Sequence, residues 1–252
     1  MLPDPIFYAA AIPAVVLVGL TKGGMGGALA LLGVPILSFV VDPATAAAIM
    51  LPILIMMDVV ALWTWRKHNH WPTLKSLLPG AMIGIVLGWF TFSVVPFALI
   101  RLLIGLAVVL FAAKYFFDRW RPGLRAPKPP AGQRPIAGAF WGTIAGYTSF
   151  ISHSGGPPYQ IYTLPLQLDP KSYTGASVRF FAIVNIVKLV PYYLLGELAI
   201  SNLVASATLV PFAIVATIGG GMIVKRMRME VFYPFMYVMA FLTGLKLVLD
   251  GL

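Results

Sequence analysis

The chain has 252 residues, of which 60% are hydrophobic and 10% charged, with a mean hydropathy of +0.90. Soluble domains carry about 25% charged residues, so this composition excludes a soluble fold. It also excludes collagen, a disordered chain and a nucleic-acid-binding domain, despite the net charge of +10. What remains is a polytopic integral membrane protein. The absence of cysteine excludes a disulfide framework, Cys-based zinc sites and iron–sulfur clusters.

Met1-Leu2-Pro3-Asp4-Pro5 lacks the basic stretch that opens a cleaved signal peptide, so the first apolar segment is expected to be retained. That segment, 6–40, is too long for one straight span and is cut at Lys22-Gly23-Gly24-Met25-Gly26-Gly27. Spans of roughly 20 apolar residues are predicted at 43–65, 76–95 and 97–117. A second over-long segment, 136–168, is cut at Ser152-His153-Ser154-Gly155-Gly156-Pro157-Pro158, and spans follow at 171–195, 201–224 and 231–250. The pieces beside each cut are about 12–17 residues, or roughly 18–26 Å of helix. That length suits a half-helix that enters the membrane and turns back.

Charge chooses between a crossing and a re-entrant hairpin. The connections 66–75 (Arg66, Lys67, Lys75), 118–135 (Arg119, Arg121, Arg125, Lys128, Arg134) and 225–230 (Lys225, Arg226, Arg228) are basic, whereas 195–201 carries Glu197 and no basic residue. If each cut segment is a hairpin with no net crossing, all three basic connections fall on one face, and the positive-inside rule makes that face cytoplasmic. A repeat agrees with this. Gly19-x-Thr21 and Gly146-x-Thr148 are 127 residues apart, and the same offset pairs Asp42-Pro43 with Asp169-Pro170, Asp58 with Asn185, and Trp65 with Tyr192. Each Asp-Pro suits a helix start, with Asp as N-cap and Pro at the first helical position.

The expected fold is therefore all-α: a first membrane repeat at 1–117, a basic cytoplasmic linker at 118–135 and a second repeat at 136–252. Each repeat is a broken hairpin followed by three transmembrane helices, and the second is inverted relative to the first. Inverted repeats with interrupted helices are a secondary-transporter architecture, with the site at the midplane.

The cluster Gly23-Gly24-Met25-Gly26-Gly27 running to Gly33-Val34-Pro35, followed by an Ala-rich span, resembles the sulfite exporter TauE/SafE family. So does the second copy at Ser154-Gly155-Gly156-Pro157, followed by a helix with Asn185 and Lys188. The likeness covers nearly the whole chain. It implies export of sulfite or a small organosulfonate such as sulfoacetate across a prokaryotic inner membrane. The second copy departs from a plain glycine cluster in carrying His153 and a Pro-Pro pair, which leaves room for a different substrate.

At each cut, free backbone N–H groups and a helix dipole would hold an anion without a charged side chain. The candidate groups are Thr21, Lys22, Gly23, Gly24, Gly26 and Gly27 at the first cut, and His153, Ser154, Gly155 and Gly156 at the second. The half-helices are expected to start near Ala28 and Tyr159. The bland alternative for the glycines is close helix packing. Lys22 would offer charge to the anion, or else pair with Asp58. Arg179 and Lys188 are nine positions apart, about half a turn out of phase, so only one faces a central site unless Pro191 bends the helix. Arg179 is preferred for its planar fork; Lys188 shares a face with Asn185. Asp58, the one acidic residue deep in a span, is either a proton-coupling group or the neutraliser of Lys22 or Arg179.

An intramembrane serine hydrolase built on His153 and Ser154 is not expected, because adjacent residues rarely align a base on a nucleophile. His68 and His70 lack a nearby acid and make no metal site, and no cofactor is expected. Trp63, Trp65, Trp71, Trp120, Tyr192 and Tyr193 are assigned to interfacial belts. With no Gly-x-x-x-x-Gly-Lys-Ser/Thr loop, ATP is not the energy source. The reading is a secondary transporter of a small sulfur anion, with the bilayer and that anion as partners and no nucleic acid. The alternatives are an anion channel or a carrier of small carboxylates.

Overall fold

A computed structural model describes residues 4–25, 32–91, 97–120, 130–194 and 200–252. Gly26, Gly27, Ala28, Glu197 and most of the 118–135 linker lie outside the described residues. The elements are α1 (Pro5–Leu20), a π-helical turn (Thr21–Met25), α2 (Gly33–Leu37), α3 (Pro43–Thr64), α4 (Trp71–Thr91), α5 (Phe97–Trp120), α6 (Pro135–Ser152), α7 (Gly156–Thr163), a 3-10 turn (Leu164–Leu166), α8 (Pro170–Leu194), α9 (Ile200–Arg226) and α10 (Met229–Leu249). No strand occurs among the described residues. Among the described residues six helices are long and apolar enough to cross a membrane: Pro5–Met25, Trp71–Thr91, Ala98–Trp120, Pro170–Leu194, Asn202–Arg226 and Met229–Leu249. The predicted span at 76–95 begins earlier, at Trp71, because Pro72 fits the first turn of a helix and Lys75 is carried on it.

The same element order occurs twice: a broken segment, then three long helices. α3 and α8 both open on the proline of an Asp-Pro pair 127 residues apart. Asp42 caps α3 by accepting from the Thr45 N–H at 2.9 Å.

One expectation needs correcting. The first arms are not short half-helices: α1 with its π turn runs 21 residues and α6 runs 18. The return arms are the short ones, α2 with 5 residues and α7 with 8. The Lys22-Gly23-Gly24 signal does not stop the helix where it begins. The chain stays helical through Met25, and Gly24 at φ 131° is the residue that leaves helical geometry. Only glycine adopts that φ without strain.

The chain divides into two compact units, Met1–His70 with Pro170–Met227, and Trp71–Asp169 with Arg228–Leu252. Each unit draws helices from both halves of the sequence. In the first, Phe7, Ala11, Val15 and Val18 of α1 pack with Ile49, Ile53 and Met57 of α3 and with Ala205, Leu209 and Ala213 of α9. The three helices run parallel. Ser206 of α9 donates to the Ile49 carbonyl at 2.8 Å, and further along a Cβ on Gly221 would meet Thr64 Cγ2 at 2.9 Å. α8 runs antiparallel to α3, bringing Gly175 to His68 at one end and Asn185 to Asp58 farther in. The loops 66–70 and 225–228 share an end, with the Lys225 ammonium 5.4 Å from the Trp65 ring centroid.

In the second unit, α4 and α6 approach through small residues four apart, which lets backbones meet in a membrane. A Cβ on Gly84 would fall on the Thr143 carbonyl and lie 2.7 Å from the Tyr147 nitrogen; one on Gly146 would lie 2.8 Å from the Ala81 carbonyl carbon. The α6–α4 pairing is the 127-residue counterpart of α1–α9, where Gly19 plays the part of Gly146 and its Cβ would meet Ala216 at 2.6 Å. The return arm after α7 comes back beside the start of α6: the Ala131 N–H donates to the Pro165 carbonyl at 2.9 Å and the Tyr162 hydroxyl to Gln133 Oε1 at 3.0 Å. Gln133 also donates to Thr73 at 3.0 Å, so the end of the linker sits at the start of α4.

Candidate functional site

The first break sets one lysine against one carboxylate. α1 delivers Lys22 at the last turn before Gly24, and α3 delivers Asp58 about two turns before its end. Lys22 Nζ lies 2.6 Å from Asp58 Oδ1. Asn185 of α8 donates through Nδ2 to Asp58 Oδ2 at 2.5 Å. Asp58 and Asn185 are the two residues matched by the 127-residue offset, so equivalent positions of the two halves meet each other directly. Lys188, one turn along α8 from Asn185, is fully buried. The Lys22 ammonium also lies 5.7 Å from the Phe181 ring centroid, within cation–π range. Its side chain keeps 15% exposure against 5% for Asp58, which makes Lys22 the reachable end of the pair.

Depth follows from the neighbours. Gly23 packs against Thr217 and Gly220–Gly221, and Gly24 against Thr174 and Val224. Asp58 is six residues from the end of the 22-residue α3, so the pair lies roughly 7 Å past the centre of that helix. The Lys22–Asp58 pair is thus displaced from the middle of α3 toward the end that carries loops 66–70 and 225–228. Gly23 is spent on close contact with α9, and its carbonyl accepts from Trp65 Nε1 at 2.9 Å. The Thr21 hydroxyl is turned back to the Val18 carbonyl at 2.6 Å. Of the first-cut candidates, Lys22 is the one with charge to offer, and Gly26 and Gly27 lie outside the described residues.

At the second break α6 closes at His153, which takes a left-handed φ of 53°, while the His153 and Ser154 amides return to Ser149 and Thr148 at 3.2 and 3.1 Å. Ser154 is buried, its hydroxyl donating to the Ser152 carbonyl at 3.0 Å and accepting from the Ser152 hydroxyl at 3.0 Å. α7 starts at Gly156, three residues before the expected Tyr159. Pro157 and Pro158 carry no N–H, and the Tyr159 amide is used on Gly155 at 3.3 Å. The backbone donors left to an anion here are those of Gly155 and Gly156, fewer than a helix start ordinarily presents.

Arg179 does not join the Lys22 cluster. Its guanidinium donates to the carbonyls of His68 at 2.6 Å, Arg66 at 3.0 Å, Gly175 at 3.0 Å and Trp65 at 3.3 Å. It closes the C-terminal end of α3, where carbonyls have no helical partner. The half-turn phase difference along α8 thus separates the lysine and arginine positions, and Lys188 is the one buried on the Asn185 face of the helix. Trp65 is the residue that sequence reasoning placed wrongly. It is fully buried, as is nearly so its repeat partner Tyr192 at 5% exposure, whereas Trp63, Trp71, Trp120 and Tyr193 are exposed as interfacial residues are. The shared 127-residue register of Trp65 and Tyr192 was the available signal. Among the described residues no group of three or more His, Asp or Glu side chains is placed to hold a metal.

Long apolar helices in a twice-used order, with a Lys22–Asp58 pair and a buried Lys188 among them, define a polytopic integral membrane protein. Its sequence matches the profile of the Sulfite exporter TauE/SafE family over residues 11–247. The chain belongs to that family, which implies a multi-pass membrane transporter of sulfite or related sulfur anions. No curated protein and no solved structure matches it.

Proposed function

We propose that the protein is a secondary transporter that exports a small sulfur oxyanion, sulfite or an organosulfonate such as sulfoacetate, across a prokaryotic inner membrane, with its basic connections cytoplasmic. The observation that carries the reading is charge at depth. Lys22 pairs with Asp58 at 2.6 Å and Lys188 is buried one turn from Asn185, and the other described acidic residues, Asp4, Asp42, Asp118, Asp169, Glu230 and Asp250, are at helix ends or in connections. Ionisable groups inside a membrane protein are costly and mark substrate or ion pathways. Lys22, the less enclosed member of the pair, offers an anionic cargo a cation.

Lys22 is the proposed charged contact, since it is the exposed end of the pair. Asn185 holds the Asp58 carboxylate that faces Lys22, and Arg179 holds the end of α3. The repeated element order, with an inverted second half, suits alternating access. Calorimetry on the purified protein with sulfite, sulfoacetate, sulfate and acetate tests the reading. Saturable binding of a sulfur oxyanion is expected, abolished in Lys22→Met. A folded Lys22→Met protein that binds sulfite as the wild type does would remove Lys22 from the site.

A further inference from the structure

Between Thr148 and Leu166, the stretch that holds the second break, the sequence has no Lys, Arg, Asp or Glu. Several of its polar side chains are engaged within the chain. The Thr148 hydroxyl donates to the Ile144 carbonyl at 2.8 Å, the Ser154 hydroxyl to the Ser152 carbonyl at 3.0 Å and the Thr163 hydroxyl to the Tyr159 carbonyl at 2.7 Å. Gln160 differs from these. It is 3% exposed, and its Oε1 is buried without a hydrogen-bond partner. A buried acceptor left unpaired is costly, so a glutamine kept there calls for a donor from outside the chain. Gln160 lies one turn into α7, four residues after Gly156. Helical side chains lean toward the N-terminus, and residues four apart share a face. The carboxamide therefore lies over the first turn of α7, on the side of the Gly155 and Gly156 amides. Those two amides are the donors this helix start has to offer, since Pro157 and Pro158 have no N–H and the Tyr159 amide is used on the Gly155 carbonyl.

We propose that the second break binds a singly protonated oxyanion, hydrogen sulfite, with its charged oxygens on the Gly155 and Gly156 amides and its O–H donated to Gln160 Oε1. The proposal rests on the reading above that the cargo is a sulfur oxyanion; it narrows that cargo to the protonated form and concerns the second break alone. Two neutral amides at a helix start suit one negative charge. Two charges would want a lysine or an arginine, and the stretch supplies neither. The carboxamide oxygen is an acceptor, of use only to an anion that still carries a proton. Sulfate and sulfoacetate have none to give at neutral pH. A site that bonds a substrate hydroxyl rejects the analogue lacking it, because its own polar group is then left unpaired. Gln160 thereby becomes a specificity-determining residue that separates sulfite from sulfate, and its enclosure limits the group it meets to something as small as one hydroxyl.

Calorimetry on the purified full-length protein tests this at mildly acidic pH, where sulfite is the protonated monoanion, with sulfite, selenite, methanesulfinate and sulfate. Selenite is likewise singly protonated there. Methanesulfinate has the charge and pyramidal shape of hydrogen sulfite, with a methyl in place of the hydroxyl. The wild type should bind sulfite and selenite within about threefold of each other, and methanesulfinate and sulfate about tenfold more weakly. Gln160→Met keeps the length of the side chain and removes the acceptor. In that variant sulfite should weaken about tenfold while methanesulfinate stays within about twofold, so the preference disappears. If the wild type binds no sulfite, the sulfur-oxyanion reading falls and this assignment with it. If sulfite binds but methanesulfinate binds as tightly, or a folded Gln160→Met keeps the preference, the protonated cargo is overturned and the sulfur-oxyanion reading stands. A water that satisfies Gln160 in place of the cargo gives that second result. The comparison of sulfite with methanesulfinate uses the wild type, so it decides the matter even where Gln160→Met folds poorly.

Discussion

Replacing Arg179 with methionine separates a holding role from a binding role. The side chain makes four donations to carbonyls at 2.6–3.3 Å. The contact to Gly175 lies within its own helix and that to Trp65 is long, so the bonds to His68 and Arg66 carry most of the effect. Hydrogen bonds from charged groups are worth about 1.5–3 kcal/mol each, which gives about 3–6 kcal/mol for the two. The Arg66 contact is solvent-exposed, and screening there lowers the sum to about 2–4 kcal/mol. In a chain of this size 1 kcal/mol moves the midpoint by about 2–4 °C, so Arg179→Met should melt about 5–15 °C lower in detergent. Arg179→Lys should recover only part of the loss, since an ammonium cannot span three carbonyls of one loop. Sulfite affinity, measured well below the lowered midpoint, should stay within about twofold of the wild type. A variant that melts as the wild type does and no longer binds sulfite would refute the reasoning and return Arg179 to the anion site.

Gly84→Ala places a methyl on the Thr143 carbonyl and 2.7 Å from the Tyr147 nitrogen; both are backbone, so α4 and α6 must part, at a cost of about 1–3 kcal/mol or more, read as a lower melting temperature and reduced yield. An Ala variant as stable as the parent would contradict the close approach. Trp65→Phe keeps the ring but deletes the donor to the Gly23 carbonyl, for a loss of about 1–3 kcal/mol from a buried unpaired acceptor; the expected readout is faster hydrogen exchange at Gly24 and Met25, and unchanged exchange there would argue against the clamp. Gly132→Cys, a position with nothing within 4 Å of an added Cβ, and Gly196→Cys, in the acidic connection, should react with an impermeant thiol reagent from opposite faces of the membrane. Labelling of both from one face would overturn the proposed sidedness.

The apolar runs, the Asp-Pro helix starts and the repeat were legible in the sequence, because they depend on composition and on local capping. Span length follows from bilayer thickness, and an N-cap acts within three residues of itself. The 127-residue register even matched Asp58 with Asn185, though it gave no indication that the two would touch. The tertiary structure decided three things. It extended the first arm through Lys22 to Gly24, because a lysine with a carboxylate to meet and glycines packed on α9 keep the helix going where propensity alone would end it. It turned Arg179 to the carbonyls at the end of α3 and buried Lys188 on the face where Asn185 meets Asp58, because the helical phase that separates them takes its meaning only from what α8 packs against. It also buried Trp65, which has the composition of an interfacial residue and the position of a clamp. Charge sums and periodicities are properties of one strand of sequence, whereas which cation faces which carbonyl depends on helices that come together from both halves of the chain.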